Sequence, residues 1–346
     1  MTSLYYECYY PPIDLLWMLK DINKNILDFL NSIQSYSEIY KNHKVTNSYR
    51  NILNNKIKTK KFKNILLDGG FYNLGYLYRL QLFRAAINSE DSNEHAFIWD
   101  CNTYTCKHTL KSIGLKNIST LKDYFTEENK KEAELIAQNI NSKEELIKYT
   151  FPNEVPGLFL YDVILKAQKT ATVNIKDENL KKYIYKYISA IKFSEDIIKN
   201  FKPEIIALSH AISYQCAPLA WIAAKKKIPV LILYGEYGVP RLWRLSKPKD
   251  IFYGIGHPTK KNLTELDSKK INELSKIGER YISKRISGLT KDIGGKNAFQ
   301  KNIGKLTLKY DRNKYKKKIA IYLGNWFDFP HIYGMSRFID ILDWIK

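Results

Sequence analysis

Residues 204–234, EIIALSHAISYQCAPLAWIAAKKKIPVLILY, predict a strand, a helix and a second strand. The runs EIIALS (204–209) and PVLILY (229–234) are short and apolar, and residues 213–227 between them have a helical pattern. Continuous apolar strands that alternate with helices are typical of a parallel sheet covered on both faces. This stretch therefore predicts an α/β fold.

The same alternation extends along the chain. Further strands are predicted at 64–68, 95–100, 250–256 and 318–324, and further helices at 12–34, 37–54, 74–88, 119–139, 156–168, 178–200 and 261–286. We predict a Rossmann-like, mostly parallel sheet with flanking helices, a helical amino terminus and a helical insertion at 101–200. Residues 288–317 are polar, basic and rich in glycine, which is typical of a connector.

Composition narrows the function classes. The formal net charge is +21, and 45% of the residues are hydrophobic, which excludes a disordered chain. The sequence has no run of 18 apolar residues, no recognisable signal peptide and only four scattered cysteines, which together favour a cytoplasmic protein with reduced thiols. The positive charge indicates nucleic acid, an anionic membrane surface or acidic substrates, or it reflects a lysine-rich composition alone.

In open parallel sheets, ligands bind beyond the carboxyl ends of the strands. The first such loop lies in LLDGGFYNLGYLYRLQLFR (66–84), where Asp68 ends a strand, Gly69 and Gly70 permit a tight turn and Asn73 could cap the next helix. Backbone amides at this helix start could hold an anion or a sugar hydroxyl. The spacing is not that of a dinucleotide fingerprint, and an ordinary strand–helix turn is the alternative.

The second loop contains His210, directly after the strand EIIALS. A histidine that titrates near neutral pH suits a general base or a contact to phosphate or sugar. A hydrogen-bonded structural histidine is the alternative.

The third loop, GEYGVPRLWRL (235–245), combines Glu236 with Arg241, Trp243 and Arg244. Carboxylates and aromatic rings are common in sugar sites, and paired arginines bind carboxylate or phosphate groups. The loop therefore predicts part of a binding site, with a salt-bridged structural loop as the alternative.

The fourth loop, YLGNWFDFPHIYG (322–334), places four polar or aromatic side chains after a predicted strand: Asn325, Trp326, Asp328 and His331. Polar groups among aromatic rings at a strand end favour a carbohydrate site. A structural cap over an apolar face is the alternative.

Three segments resemble bacterial glycosyltransferases of capsule and lipopolysaccharide synthesis that have two Rossmann-like domains, the GT-B architecture. The segments are GEYGVPRLWRL, IGERYISKRISG (277–288) and GNWFDFPHIYGMSRFIDILDWI (324–345). The resemblance implies an acceptor-binding domain at 1–290, a basic connector at 291–317 and, at 318–346, only the first strand and helix of a donor-binding domain. It also implies that Asp328 faces the cleft between the domains.

We therefore predict a glycosyltransferase, of hexosyl or Kdo/sialyl type when full length, that uses a nucleotide sugar as donor substrate and needs no other cofactor. The absence of a D-x-D motif near a strand end favours metal-independent transfer to a glycan or glycolipid. The candidate bases are Glu236, His210 and Asp68, in that order, and Arg241 and Arg244 would bind acidic groups. Peripheral contact with an anionic inner membrane fits the charge.

Two functions from other classes remain open. A nucleic-acid-binding α/β protein would account for the charge and for the alternating tyrosines and lysines of KYIYKYISAIKF (182–193), although no nucleic-acid-binding motif occurs and no nucleic acid is expected as a partner. A non-catalytic glycan-binding or scaffold protein would fit a chain that contains only the start of a second domain.

Overall fold

The computed structural model describes residues 62–70, 74–100, 103–234, 241–253, 264, 266–287, 289, 331 and 340. These residues fall into two compact units, one holding 62–253 with 331 and 340, the other holding 264–289. The predicted helices at 12–34 and 37–54, the connector at 291–317 and the strand at 318–324 lie outside the described residues. The domain division at 290 and 318 stays a prediction.

The first unit alternates strands and helices. Its strands are β1 (Phe62–Asp68), β2 (Asn88–Ile98), β3 (Asn117–Thr120), β4 (Thr150–Phe151), β5 (Val155–Pro156), β6 (Ile205–Leu208), β7 (Val230–Tyr234) and β8 (Arg241–Leu245). Its helices are α1 (Leu74–Ile87), α2 (Thr103–Ser112), α3 (Glu127–Asn139), α4 (Lys143–Lys148), α5 (Gly157–Gln168), α6 (Leu180–Phe201) and α7 (Ser213–Lys225). The second unit contains α8 (Ser268–Ile286). Within these ranges, no helix combines the length and the apolar character that crossing a membrane requires.

Among the described residues, six strands form the main sheet, in the order β3-β2-β1-β6-β7-β8. All neighbours are parallel except β7 and β8, which are antiparallel. The predicted Rossmann-like, mostly parallel α/β sheet is confirmed. Because β1 leads to β2 and β3 on one side while β6 leads to β7 on the other, the strand order reverses between β1 and β6. The carboxyl ends of these two strands are neighbours.

Both faces of the sheet are covered by helices. Leu66 of β1 and Ile206 of β6 belong to the apolar core formed with α3 to α7. Their chain neighbours Ile65 and Ile205 belong to the opposite core, formed with α1 and α2. Successive strand residues point to opposite faces, so a strand covered on both sides must be apolar at every position. This explains the continuous apolar runs in the sequence.

Several predicted elements differ from the structure. Of the strand predicted at 250–256, the described residues belong to a 3₁₀ helix, Pro248–Tyr253, where the Asp250 carboxylate accepts from the backbone N–H groups of Ser246 and Lys247. The helix predicted at 119–139 begins only at Glu127, after the N-cap Thr126, because residues up to Thr120 belong to β3. The region 101–200 is thus only partly an insertion, since β3 is an edge strand of the main sheet.

Arg84 links α1 to the sheet through an ion pair with Glu94 of β2. Its guanidinium makes two contacts with the Glu94 carboxylate, Nε to Oε1 at 2.6 Å and Nη2 to Oε2 at 2.5 Å, and Nη1 donates to the carbonyl oxygen of Ile113. Arg84 is buried. A bidentate buried pair of this kind is a structural contact, so Arg84 is a packing residue and not a ligand-binding one.

Gly157, the first residue of α5, lies where two backbones meet. Its N–H donates to the carbonyl oxygen of Tyr149 at 2.8 Å. A Cβ atom built on Gly157 would lie 2.0 Å from the carbonyl oxygen of Leu146, which is a backbone atom and cannot rotate away. Glycine is therefore required for α5 to pack against the end of α4.

The substitution Gly157→Ala is expected to lower the free energy of unfolding by about 1–3 kcal/mol, the usual range for overpacking. Gly278→Ala in α8 is the control, because a Cβ atom there meets nothing within 4 Å. It should be neutral or slightly stabilising. Urea denaturation followed by far-ultraviolet circular dichroism measures both variants. Equal effects of the two would contradict the packing argument.

Candidate functional site

A buried carboxyl group lies at the carboxyl ends of β1 and β6. Asp68 is the last residue of β1, and its Oδ1 accepts from the backbone N–H of Gly70 at 2.9 Å and from the indole Nε1 of Trp99 at 3.2 Å. Its Oδ2 accepts from the N–H and the Oγ of Ser209, at 3.0 and 2.5 Å. Because Trp99 follows β2 and Ser209 follows β6, one side chain connects three strand ends.

This carboxyl group is sealed from solvent. Asp68 is fully buried, and burial raises its pKa, while the hydrogen bonds from Ser209, Gly70 and Trp99 act to lower it. The thiol of Cys216 also donates to Oδ2, at 3.8 Å. Burial raises the pKa of that thiol well above its ordinary value, and the nearby Asp68 adds to the effect. These surroundings favour a positioning role for Asp68 over the predicted role of a base.

Gly69 and Gly70 form the tight turn that the sequence predicts. The N–H of Gly69 donates to the carbonyl oxygen of Phe97 at 2.8 Å, and the N–H of Gly70 donates to Asp68. A Cβ atom would lie 2.3 Å from Leu110 Cδ1 at Gly69 and 2.0 Å from Trp99 Cδ1 at Gly70. Both amides are used within the fold, so they would bind an anion only if these bonds opened. Asn73 lies outside the described residues.

His210 lies in the loop after β6, two residues beyond the end of the strand, and is partly buried. Burial and then the positive charges of Lys166 on α5 and Arg79 on α1 lower its pKa to about 4. The imidazole is therefore neutral at pH 7. Arg79 donates its Nε–H to the carbonyl oxygen of Leu233 at 3.3 Å, which holds this cation at the carboxyl end of β7.

The loop after β6 ends in a strained residue. Ser213, the first residue of α7, has a φ of 73°, in the left-handed region. This conformation costs about 1–2 kcal/mol for a residue that has a Cβ atom. The Ser213 hydroxyl bonds to Oε1 of Gln215 at 2.6 Å. Such strain is concentrated at functional sites, and here it lies three residues after His210.

A buried ion pair lies nearby on the same sheet edge. Asp100 follows β2, and its Oδ2 lies 2.6 Å from the Nζ of Lys186 on α6, while the Tyr214 hydroxyl donates to Oδ1. Burial acts to raise the pKa of Asp100, but the Lys186 charge and the hydrogen bonds from Lys186 and Tyr214 hold it below its ordinary value. Sequence reasoning missed this pair. Lys186 belongs to the segment 182–193, where its burial contradicts a nucleic-acid-binding role for this lysine.

The paired arginines of the third predicted loop lie on a strand. In the antiparallel register of β8 with β7, Arg241 is opposite Tyr234 at the carboxyl end of β7, and Arg244 is opposite Leu231 near its amino end. Arg244 is exposed and lies two strands from β6. The prediction that both arginines lie in one loop at the carboxyl edge is therefore wrong. Glu236 lies outside the described residues.

Of the fourth predicted loop, the structure describes only His331. Its backbone N–H donates to Oδ2 of Asp162 on α5 at 3.1 Å, and its Nδ1 lies 2.5 Å from Oδ1. Farther along, the buried Asp340 accepts from Tyr161, Thr172 and Lys143. Both carboxy-terminal residues are thus tied to α5 or its surroundings. Asn325, Trp326 and Asp328 lie outside the described residues.

Neither a metal-binding cluster among the described residues nor a similar known protein assigns a role to this site. In the described ranges, no group of three or more His, Cys, Asp and Glu side chains is placed to hold a metal ion. Comparison of the chain with protein-family models, curated proteins and solved structures finds no match.

Replacing the carboxyl group at the sheet edge tests its positioning role. Asp68→Asn turns one acceptor oxygen into a donor that faces other donors in either orientation of the amide, those of Ser209 or those of Gly70 and Trp99, so we expect the free energy of unfolding to fall by about 2–4 kcal/mol. The exposed Asp91 on β2 supplies the control variant Asp91→Asn, expected to change stability by less than about 0.5 kcal/mol. Urea denaturation of both variants is the measurement, and a neutral Asp68→Asn would refute the role.

The lowered pKa of His210 predicts a pH dependence of stability. The unfolded histidine titrates near 6.5 and the folded one near 4, so the unfolded chain binds more protons between these values. Stability conferred by neutral His210 is therefore present above pH 6.5 and lost as the pH falls toward 4, by up to about 3 kcal/mol. Denaturation of the wild type and His210→Gln at pH 7.0, 5.5 and 4.5 measures it. If the free energy of unfolding of the two proteins decreased equally with falling pH, the lowered pKa of His210 would be contradicted.

Proposed function

We propose that this chain is a metal-independent glycosyltransferase that transfers a sugar from a nucleotide sugar to an anionic glycan or glycolipid of a bacterial capsule or lipopolysaccharide. The mostly parallel sheet supports a ligand site where the strand order reverses, between β1 and β6. In the GT-B arrangement that the sequence resembles, this sheet would belong to the acceptor-side domain.

One observation carries the proposal: a neutral imidazole lies at the reversal point, under the influence of two cations. Neutral His210 can accept the proton of an acceptor hydroxyl. Lys166 and Arg79, both partly buried, favour an anionic group beside it. When a phosphate or carboxylate binds there, its charge offsets the two cations and raises the pKa of His210, which makes the histidine a stronger base. Ligand binding and proton transfer are thereby coupled.

The remaining residues have supporting roles in this proposal. Asp68 fixes the loop that carries His210 through the two hydrogen bonds to Ser209. Glu236 is a second candidate base, and Arg241 is a candidate contact to acidic groups near the carboxyl end of β7. By resemblance, Asn325, Trp326 and Asp328 would contribute from the donor side of the cleft.

Sugar transfer by the full chain tests the proposal. The protein is incubated with UDP-, GDP- and CMP-sugars and with acidic oligosaccharide acceptors, and nucleotide release is measured by chromatography. We expect His210→Gln to lower kcat by about 100-fold or more, the usual contribution of a general base, while KM for the nucleotide sugar changes little.

His95→Gln is the matched control, because His95 lies on β2, away from the sheet edge, where its Nε2 contacts Ser119. It should retain transfer within about threefold, since it has no part in proton transfer. Wild-type transfer by His210→Gln would remove His210 as the base. Calorimetry that shows nucleotide-sugar binding without transfer would favour the non-catalytic glycan-binding alternative. Binding of RNA or DNA without any affinity for nucleotide sugars would overturn the proposal.

A further inference from the structure

The helix of the second unit exposes a row of large apolar side chains. Ile271, Leu274, Ile277 and Ile282 of α8 are 41%, 51%, 56% and 56% exposed. At 3.6 residues per turn, these four positions fall within an arc of about 140° around the helix axis. A helix of a globular protein normally buries such an arc against a core. In α8 these four side chains are 41–56% exposed instead.

The rest of α8 is strongly basic. Residues 268–286 contain six Lys and Arg residues and two Glu residues, a net charge of +4. By the same helical geometry, Lys270 and Lys284 flank Ile277 at one border of the apolar arc, whereas Lys269 and Lys276 lie on the opposite side. The helix therefore combines an apolar arc, within which the position of Arg285 also falls, with cations at one border of the arc and a polar outer face.

We propose that α8 lies in the surface of an anionic lipid bilayer. An interfacial helix buries an apolar arc at the boundary between headgroups and acyl chains, and lysines beside that arc reach the lipid phosphates. Each cation near an anionic surface strengthens binding roughly fivefold. The charge of +21 on the whole chain acts in the same direction.

The charge and the apolar area of α8 together favour an anionic bilayer over a nucleic acid and over a second copy of the chain. A nucleic acid would use the cations but would leave Leu274, Ile277 and their neighbours in water, so the apolar arc would gain nothing. A second copy of the chain would cover the arc, but it would bring two helices of charge +4 into contact. An anionic bilayer satisfies both features. The inference does not rest on the proposed transfer reaction, because it uses none of the residues at the β1–β6 edge.

Vesicle sedimentation of the full chain tests the assignment. Vesicles of phosphatidylcholine with about one-third phosphatidylglycerol are compared with vesicles of phosphatidylcholine alone. We expect the wild type to bind the anionic vesicles at least tenfold more tightly, with a marked decrease at high salt. The paired substitution Leu274→Gln and Ile277→Gln, which leaves the charge unchanged, should weaken binding at least tenfold.

Two double variants that lose the same charge test whether the lysines at the border of the apolar arc contact the lipid or whether only the total charge of the helix matters. Lys270→Gln with Lys284→Gln removes cations at the border of the apolar arc and should weaken binding more than tenfold. Lys269→Gln with Lys276→Gln removes the same charge from the opposite side and should weaken it less than threefold. Circular dichroism checks that every variant keeps its helix content.

Four results would overturn the proposal. They are a wild type that does not prefer anionic vesicles, an apolar-arc variant that binds like the wild type, equal losses from the two lysine pairs, and RNA binding that is strong while vesicle binding is absent. Size-exclusion chromatography adds a fifth test. If the apolar-arc variant dissociates a wild-type dimer and leaves vesicle binding unchanged, the arc is a self-association face instead.

Discussion

The carboxyl group of Asp68 is the contact on which the candidate site depends. The strand order reverses between β1 and β6, and the helices that follow these strands, α1 and α7, pack on opposite faces of the sheet. Asp68 lies at this point and accepts hydrogen bonds from both sides, from Gly70 and from Ser209. Its own carbonyl oxygen accepts from the hydroxyl of Tyr76 at 2.7 Å, which fastens α1 to the same point. A buried carboxyl group is costly unless its oxygens are bonded, and here each oxygen has at least two donors. The relative positions of β1, β2 and β6 are thereby fixed.

The polar side chains at the carboxyl ends of the strands differ in exposure, and two groups can be distinguished. The Asp68 side chain is fully buried, the side chains of Asp100 and Lys186 are only 8% and 10% exposed, and all three are hydrogen-bonded within the fold, so they define geometry. His210 and Arg79 are only partly buried, and Arg79 keeps one hydrogen bond, to Leu233, among the residues that the structure describes. Enclosed groups cannot exchange partners without opening the core, whereas partly exposed groups can. The division separates the groups that fix the geometry at these strand ends from the groups that a ligand could reach.

The sequence predicts the interior of this fold better than its edges. Strands covered on both faces must be continuously apolar, so β1, β6 and β7 are recognised from composition alone. The edge strands β3 and β8 contain polar residues such as Asn117 and Arg244, and no continuous apolar run reveals them. At the site, Asp68, Gly69, Gly70 and His210 could be predicted because carboxyl ends of parallel strands meet. Their partners could not, because Trp99, Ser209 and Cys216 are 31, 141 and 148 residues from Asp68, and only the fold shows which side chains fill the space.

The partly buried cations Arg79 and Lys166 differ from the exposed lysines that would bind a polyanion. A polyanion such as nucleic acid is bound by many exposed lysines, each of which neutralises one phosphate. Arg79 and Lys166 differ, since they are partly buried and act together on one imidazole beyond β6. Two cations around a neutral base suit a single small anionic group better than an extended chain of phosphates. In the proposed reaction, an anionic group bound beside Lys166 and Arg79 would offset their charge and raise the pKa of His210, so the bound anion would strengthen the neutral histidine as a base.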